Sequence, residues 1–221
     1  MSETVLITGA NRGIGLSLVK QYLSRGDKVI GVCRTTSAEL SASGADVIEG
    51  VDVSKDTGIG LLVEAMNGRQ IDVLINNAGI LLGTSFDELD FDAVLTQFEV
   101  NAVAPLRVVV ALSDCLKRGS KVAMITSRMG SIEDNSSGGS YGYRMSKTAL
   151  NAAGKSLALD LKARGIAVAL IHPGWVNTEM VNFNGLIEPE EAAEGIVTRI
   201  DELNLESTGG FWHSNGEPLP W

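Results

Sequence analysis

The chain has 221 residues, with 18 Lys and Arg against 27 Asp and Glu and a formal net charge of −9. Apolar residues make up 44% and charged residues 20%, an ordinary globular balance that suits a single α/β domain over residues 1–221 with no metal or disulfide staple. The acidic balance argues against generic binding to nucleic acid or an anionic membrane, and no apolar run approaches the ~18 residues of a membrane span.

Thr4-Val-Leu-Ile-Thr8 is a short apolar run and reads as a buried first strand. It follows Met1-Ser-Glu directly, which leaves no room for a signal peptide. Gly9-Ala-Asn-Arg-Gly-Ile-Gly15 leads into a helix with Ile14, Leu18, Val19, Tyr22 and Leu23 on one side, ended by Gly26. Lys28–Cys33 is a second strand, residues 36–42 a short helical or irregular piece, and Asp46–Glu49 a third strand. Ser54 is placed to cap a helix with Ile59, Leu62, Val63 and Met66 on its apolar side, stopped by Gly68. Ile71–Ile75 is a fourth strand and runs into Asn76-Asn-Ala-Gly79.

Residues 87–117 read as mostly helical, Lys121–Thr126 as a fifth strand, and the polar, glycine-rich Ser131–Gly142 as a loop. An amphipathic helix from Tyr143 to about Arg164 follows, then a sixth strand, Ile166–Ile171, and Pro173-Gly174. Glu188-Pro189 opens a last helix with acids at its positive end. Its buried stripe is Ala192, Ala193, Ile196, Val197, Ile200 and Leu203. Gly209–Trp212 reads as an edge strand. The strands are continuous apolar runs that alternate with helices. That is the pattern of a Rossmann-type, doubly wound parallel sheet of about seven strands with helices on both faces. Ligands of such sheets bind at the carboxyl ends of the strands.

The informative residues lie at those ends. Gly9, Gly13 and Gly15 form a strand–turn–helix junction whose backbone amides can approach a phosphate closely. An acid ending the second strand would hold the ribose 2′-hydroxyl of NAD. This chain has Cys33-Arg34 there instead, and Arg12 in the glycine loop. Two guanidiniums suit a 2′-phosphate, so NADP is favoured over NAD, and NADPH over NADH. Asp52, just past the third strand, can accept from an adenine amino group or cap the next helix. Tyr143 and Lys147 are four residues apart on one helix face. A nearby ammonium favours the phenolate and lowers a tyrosine pKa, which would let the pair exchange protons near neutrality. Cys33 and Cys115 sit in apolar surroundings and read as buried thiols, which suits a reducing cytoplasm. His172 and His213 stand apart from any ligand pattern, so no metal site is expected.

Thr8-Gly-Ala-Asn-Arg-Gly-Ile-Gly15, Asp52-Val53, Asn76-Asn-Ala-Gly79, Asn101, Ser127, Tyr143-x-x-x-Lys147 and Pro173-Gly174 together resemble the short-chain dehydrogenase/reductase family, along essentially the whole chain. Arg128-Met-Gly-Ser-Ile132, Gly142–Lys147 and Phe211–Trp221 are similar to its subgroup of small carbonyl reductases related to sniffer and bacterial C-factor. The resemblance implies four catalytic residues. Ser127 would bond the substrate oxygen, Tyr143 would carry the proton, Lys147 would lower the Tyr143 pKa and bind the nicotinamide ribose, and Asn101 would hold a water linking Lys147 to solvent. It implies that Gly9, Asn11, Arg12, Gly13, Ile14, Gly15, Arg34, Asp52, Val53, Asn76, Ala78, Gly79, Pro173, Gly174, Val176 and Thr178, with Tyr143 and Lys147, line the cofactor. Asn76 and Ala78 would pack along the adenosine and ribose, and Val176 and Thr178 would position the nicotinamide amide and the phosphates.

The expected activity is NADPH-dependent reduction of a small ketone or aldehyde. Two alternatives stand beside it: a non-catalytic or signalling dinucleotide-binding protein of the C-factor type, and an NAD-linked alcohol dehydrogenase. The interval from Ser127 to Tyr143 is long for the family, so the Ser131–Gly142 loop is expected to border the substrate pocket. Between Thr178 and Glu188 the chain is short, which implies an open pocket lined by Trp175, Met180 and Phe183. His172, where the family has Asn, reads as a structural residue at the strand end. A homodimer would form through residues 87–117 and 143–164, using apolar positions such as Val108, Val109, Leu112, Leu157 and Leu161.

Overall fold

A computed structural model describes residues 2–83 and 85–221; Met1, with which the reading of the N-terminus began, lies outside them. The seven expected strands form: β1 (Thr4–Thr8), β2 (Lys28–Val32), β3 (Asp46–Ile48), β4 (Ile71–Asn76), β5 (Leu116–Ile125), β6 (Ala167–His172) and β7 (Phe211–His213). All pair in parallel in the order β3-β2-β1-β4-β5-β6-β7. The chain winds outward from β1 in both directions, so its switch in strand order lies between β1 and β4, where ligands of such sheets bind.

Because successive strand residues point to opposite faces, the apolar runs feed two cores. One face packs Leu6, Leu74, Val122 and Val168 against α3 (Asp56–Met66), α5 (Ala104–Ala111) and α6 (Tyr141–Lys162). The other packs Val5, Ile7, Val73 and Ile75 against α1 (Gly13–Ser24), the short α2 (Ala38–Ser41) and α7 (Pro189–Glu202). Each fully buried Leu or Ile contributes about 1.5–3 kcal/mol, which is why alternating-polarity strands would not hold this sheet. Gly26, at φ +82°, ends α1 as expected, and Pro189 opens α7 with Glu190 and Glu191 in the first turn.

Several local expectations need correction. Ser54 does not cap α3: its hydroxyl donates to Asp52 Oδ1 at 2.7 Å, and Lys55 holds the cap position. Val63 is 43% exposed; α3 buries Gly58, Leu62 and Met66. The segment 87–117 is not one helix. α4 (Phe91–Phe98) passes into a π-helical turn, Glu99–Val103, and then α5. From Leu116 the chain is already strand, since Leu116 pairs with Ile71 before a register shift and a left-handed Gly119 at φ +91°. Phe91–Ala111 is a 21-residue helical rod, long and apolar enough by composition to cross a membrane, contrary to the expectation that no segment comes close. It is partly buried against the sheet and α6 and carries an Arg107–Glu99 ion pair at 2.7 Å. Val108, Val109, Leu112, Leu157 and Leu161 are all buried in this chain's own core. They are not available to a partner; the exposed apolar residues of α4 and α5 include Phe91, Leu95 and Val110.

Candidate active site

The carboxyl end of β1 enters the glycine loop. Gly9 and Gly13 have φ of +66° and +52°, left-handed backbone that glycine adopts without strain. Gly15 serves a different need, close approach: a Cβ there would stand 2.0 Å from the Gly9 carbonyl oxygen. Leu16 N–H to Arg12 O, at 3.2 Å, closes the first turn of α1. The amides of Gly13, Ile14 and Gly15 precede it and stay free for an anion. Asn11 is half-buried beside them. Thr178 faces this loop from beyond β6, its Cγ2 3.3 Å from where a Gly13 Cβ would sit. The cradle therefore admits backbone and phosphate but no side chain, which fits the diphosphate of a dinucleotide.

Arg34 lies exposed at the end of β2, with Asp52 and the half-buried Val53 past β3. Burial acts to raise the Asp52 carboxyl, but hydrogen bonds from the Ser54 hydroxyl and amide, with Arg34 and Lys55 nearby, outweigh it and hold the carboxyl below the usual range. Arg12 is not free: it is ion-paired with Glu179. At the end of β4, Asn76 is 2% exposed, its amide nitrogen 3.5 Å from the Met124 sulfur and its Oδ1 buried without a partner. Asn77, which carried no expected role, clamps the loop instead. Its side chain donates to Thr8 O at 3.0 Å and Gly9 O at 3.1 Å, while the Asn77 and Ala78 amides share Thr8 Oγ1.

Asn101 sits in the π-helical turn, fully buried. Its Oδ1 accepts from Ile80 N–H at 2.8 Å, and its Nδ2 donates to Ile80 O at 2.9 Å and to Ser146 Oγ at 3.0 Å. It thereby ties the loop after β4 to α6. A Gly79 Cβ would meet Asn101 Oδ1 at 3.2 Å and Lys147 Nζ at 3.7 Å, so Gly79 opens the space between them. π-turns concentrate at functional sites because they break the regular spacing of a helix.

Ser127 follows β5 and is buried; its Oγ accepts from Met129 N–H at 3.2 Å. On α6, Tyr143 is half-buried and Lys147 5% exposed, with Lys147 Nζ 5.8 Å from the Tyr143 ring centroid and donating to Ile125 O at 2.9 Å. Burial pushes the Tyr143 phenol up to about 12, partly offset by the polar Ser127 side chain beside it. Burial also pushes Lys147 down to about 8. The expected lowering of the Tyr143 pKa by Lys147 is therefore absent. Both groups are drawn toward their neutral forms because burial penalises either charge.

A pH dependence follows. The unfolded chain holds the Lys147 proton up to about 10.5 and the folded chain only up to about 8, so this group's contribution to stability rises with pH between those values. Activity that needs the ammonium should move the other way. We expect kcat/KM for the free enzyme to fall as pH rises through about 8; a rate–pH profile flat across that region would count against a charged Lys147.

Beyond β6, Pro173 O accepts from Ser214 Oγ at 3.1 Å, and Gly174 takes φ +95°. Val176 is buried and bridges to Ile187, closing the segment 175–187 on itself. Trp175, Met180 and Phe183 on that segment are all exposed. His172 packs edge-on against His213, ring centroids 4.9 Å apart, and burial lowers it to about 3, so it stays neutral. The Ser131–Gly142 loop walls a cavity of about 540 Å³ with Phe98, Met129, Met145 and Ala149. That cavity lies on the opposite face of α6 and includes none of Ser127, Tyr143 and Lys147.

Comparison with known proteins agrees with this geometry. The family model for short chain dehydrogenases matches residues 3–186. The 1-hydroxy-2-glutathionyl-2-methyl-3-butene dehydrogenase of Rhodococcus sp. (strain AD45) is 40% identical over 99% of this chain and 100% of its own length. Carbonyl reductase Sniffer of D. melanogaster superposes with a TM-score of 0.91 at 30% identity over all of both chains. A carbonyl reductase from Pseudomonas aeruginosa PAO1, solved in complex with NADP, gives 0.84 at 34% identity, again over all of both chains. With its glycine loop, its strand order, Ser127 beyond β5 and Tyr143 and Lys147 on α6, the chain belongs to the short-chain dehydrogenase family of oxidoreductases.

Proposed function

We propose that the chain reduces a ketone or aldehyde to an alcohol with NADPH as hydride donor. The meeting of Ser127, Tyr143 and Lys147 beyond β5 is the observation that carries this reading. The bound nicotinamide supplies a hydride to the carbonyl carbon. Ser127 Oγ holds the carbonyl oxygen and Tyr143 delivers the proton to it. A phenol raised to about 12 is fully protonated at neutral pH, so the acid form needed for reduction is at hand. The Lys147 ammonium stabilises the phenolate left behind and holds the nicotinamide ribose. Asn101 positions a water on the path from Lys147 to solvent.

The amides of Gly13 and Ile14 bind the diphosphate, with Val176 and Thr178 closing from the other wall. Asp52 accepts from the adenine amino group, and Arg12 and Arg34 hold the 2′-phosphate. NADP in the Pseudomonas reductase supports that cofactor. The two buried free thiols suit a cytoplasmic setting, and the exposed Phe91, Leu95 and Val110 offer a homodimer face.

Replacing Arg12 and Arg34 together with Ala tests the cofactor assignment. Charge-assisted hydrogen bonds are worth about 1.5–3 kcal/mol each, so losing two should raise the NADPH Kd by more than about 100-fold and that of NADH by less than about tenfold. Equal losses would contradict the 2′-phosphate assignment. A second reading, alcohol oxidation by the same groups in reverse, is favoured by the dehydrogenase activity named for the Rhodococcus relative. Screening NADPH consumption over aldehydes, ketones and quinones, against NAD(P) reduction over alcohols, separates the two directions. A protein that only bound dinucleotide for signalling would turn over in neither assay.

A further inference from the structure

Arg12 and Glu179 form an ion pair in which both side chains are 66% exposed. Arg12 ends the glycine loop at the head of α1, and Glu179 opens the 3-10 turn Glu179–Val181 beyond β6. These segments are opposite walls of one groove, since the neighbouring Thr178 touches the space above Gly13. The pair thus bridges the groove beside the free amides of Gly13, Ile14 and Gly15. A carboxylate here takes one edge of the Arg12 fork, which a phosphate would otherwise engage by two hydrogen bonds. It also sets a negative charge beside any anion entering the cradle. Arg34 differs: it stands near Asp52 and forms no ion pair among the described residues.

We propose that Glu179 is a cofactor-specificity residue, whose carboxylate competes with the 2′-phosphate of the dinucleotide for Arg12 and so holds down the preference for NADPH over NADH. The proposal rests on the reading that Arg12 and Arg34 bind that phosphate. Glu179 acts here as a brake on selectivity. When NADPH binds, Arg12 exchanges one anionic partner for another, and only the difference between them appears as affinity. NADH offers no such exchange, so it binds with the Arg12–Glu179 bridge intact.

The test is fluorescence titration of NADPH and NADH on the full chain and on Glu179→Gln, Arg12→Ala, Arg34→Ala and the Arg12→Ala/Glu179→Gln double variant. An exposed pair of this kind is worth little, so Glu179→Gln should raise the ratio Kd(NADH)/Kd(NADPH) by about 2- to 5-fold. With Arg12 already removed, the same substitution should leave the ratio unchanged. Equal factors for both cofactors on Glu179→Gln, or a ratio shift that persists without Arg12, would overturn the proposal while leaving the 2′-phosphate reading in place. A starting ratio near one that Arg34→Ala does not alter would overturn that reading, and the proposal with it. Circular dichroism of each variant guards against misfolding.

Discussion

Tyr143→Phe should abolish nearly all carbonyl reduction while leaving NADPH binding within about twofold of the parent. Proton transfer by a positioned side chain contributes about 10²–10⁴ in rate, and the phenylalanine ring keeps the packing on α6 but has no proton to give. The hydroxyl it removes is the one beside Ser127. Single-turnover kinetics with saturating NADPH would show the loss in the chemical step. Turnover within a few-fold of the parent would remove Tyr143 from the mechanism, whatever its neighbours.

Gly15→Ala is expected to cost the fold heavily for a single added methyl group. Its Cβ would fall 2.0 Å from Gly9 O, 2.9 Å from Gly9 C and 2.7 Å from Asn77 Nδ2. Two of those atoms are backbone and the third is the clamp that seats the loop, so no flexible side chain can yield. Overpacking of this kind costs about 1–3 kcal/mol, with backbone contacts at the upper end. For a chain of this length that lowers Tm by roughly 6–12 °C, and NADPH binding should be lost with the displaced loop. Gly60→Ala is the control: nothing lies within 4 Å of its Cβ, so it should be neutral or stabilising by up to about 1 kcal/mol. An unchanged Tm for Gly15→Ala would mean that the loop relaxes freely.

The sheet was legible because its signals are local. Val5–Ile7, Leu74–Ile75 and Val168–Ile171 are continuous apolar runs, and such runs are buried on both faces wherever they fall. What could not be read depends on which of two chemically equal partners wins. Ser54 is a good capping residue, but Asp52 two positions earlier takes its hydroxyl. Asn76 and Asn77 are the same amide on adjacent residues. The alternation of the strand turns Asn76 inward toward Met124 and leaves Asn77 to face the glycine loop. Thr8, as the last residue of β1, was the available sign of that clamp. Glu179 carried no signal at all, because its partner is 167 residues away. The phenol's raised pKa was likewise hidden, since the loss of solvent around Tyr143 and Lys147 is a property of the packed helix and not of their spacing.

The π-turn at Glu99–Val103 has a consequence for how this protein can be improved. A π-turn is an α-helix that accommodates one residue too many, and the α4 and α5 flanks are out of phase with each other because of it. Methods that reward ideal backbone or helix propensity would treat the surplus residue as an error and remove it. The shorter helix would be more regular, and Asn101 would be rotated away from Ile80 and Ser146. Heat tolerance and turnover are therefore selected in opposite directions at this one turn, and a thermostabilised variant that keeps its activity is one in which these five residues are left untouched.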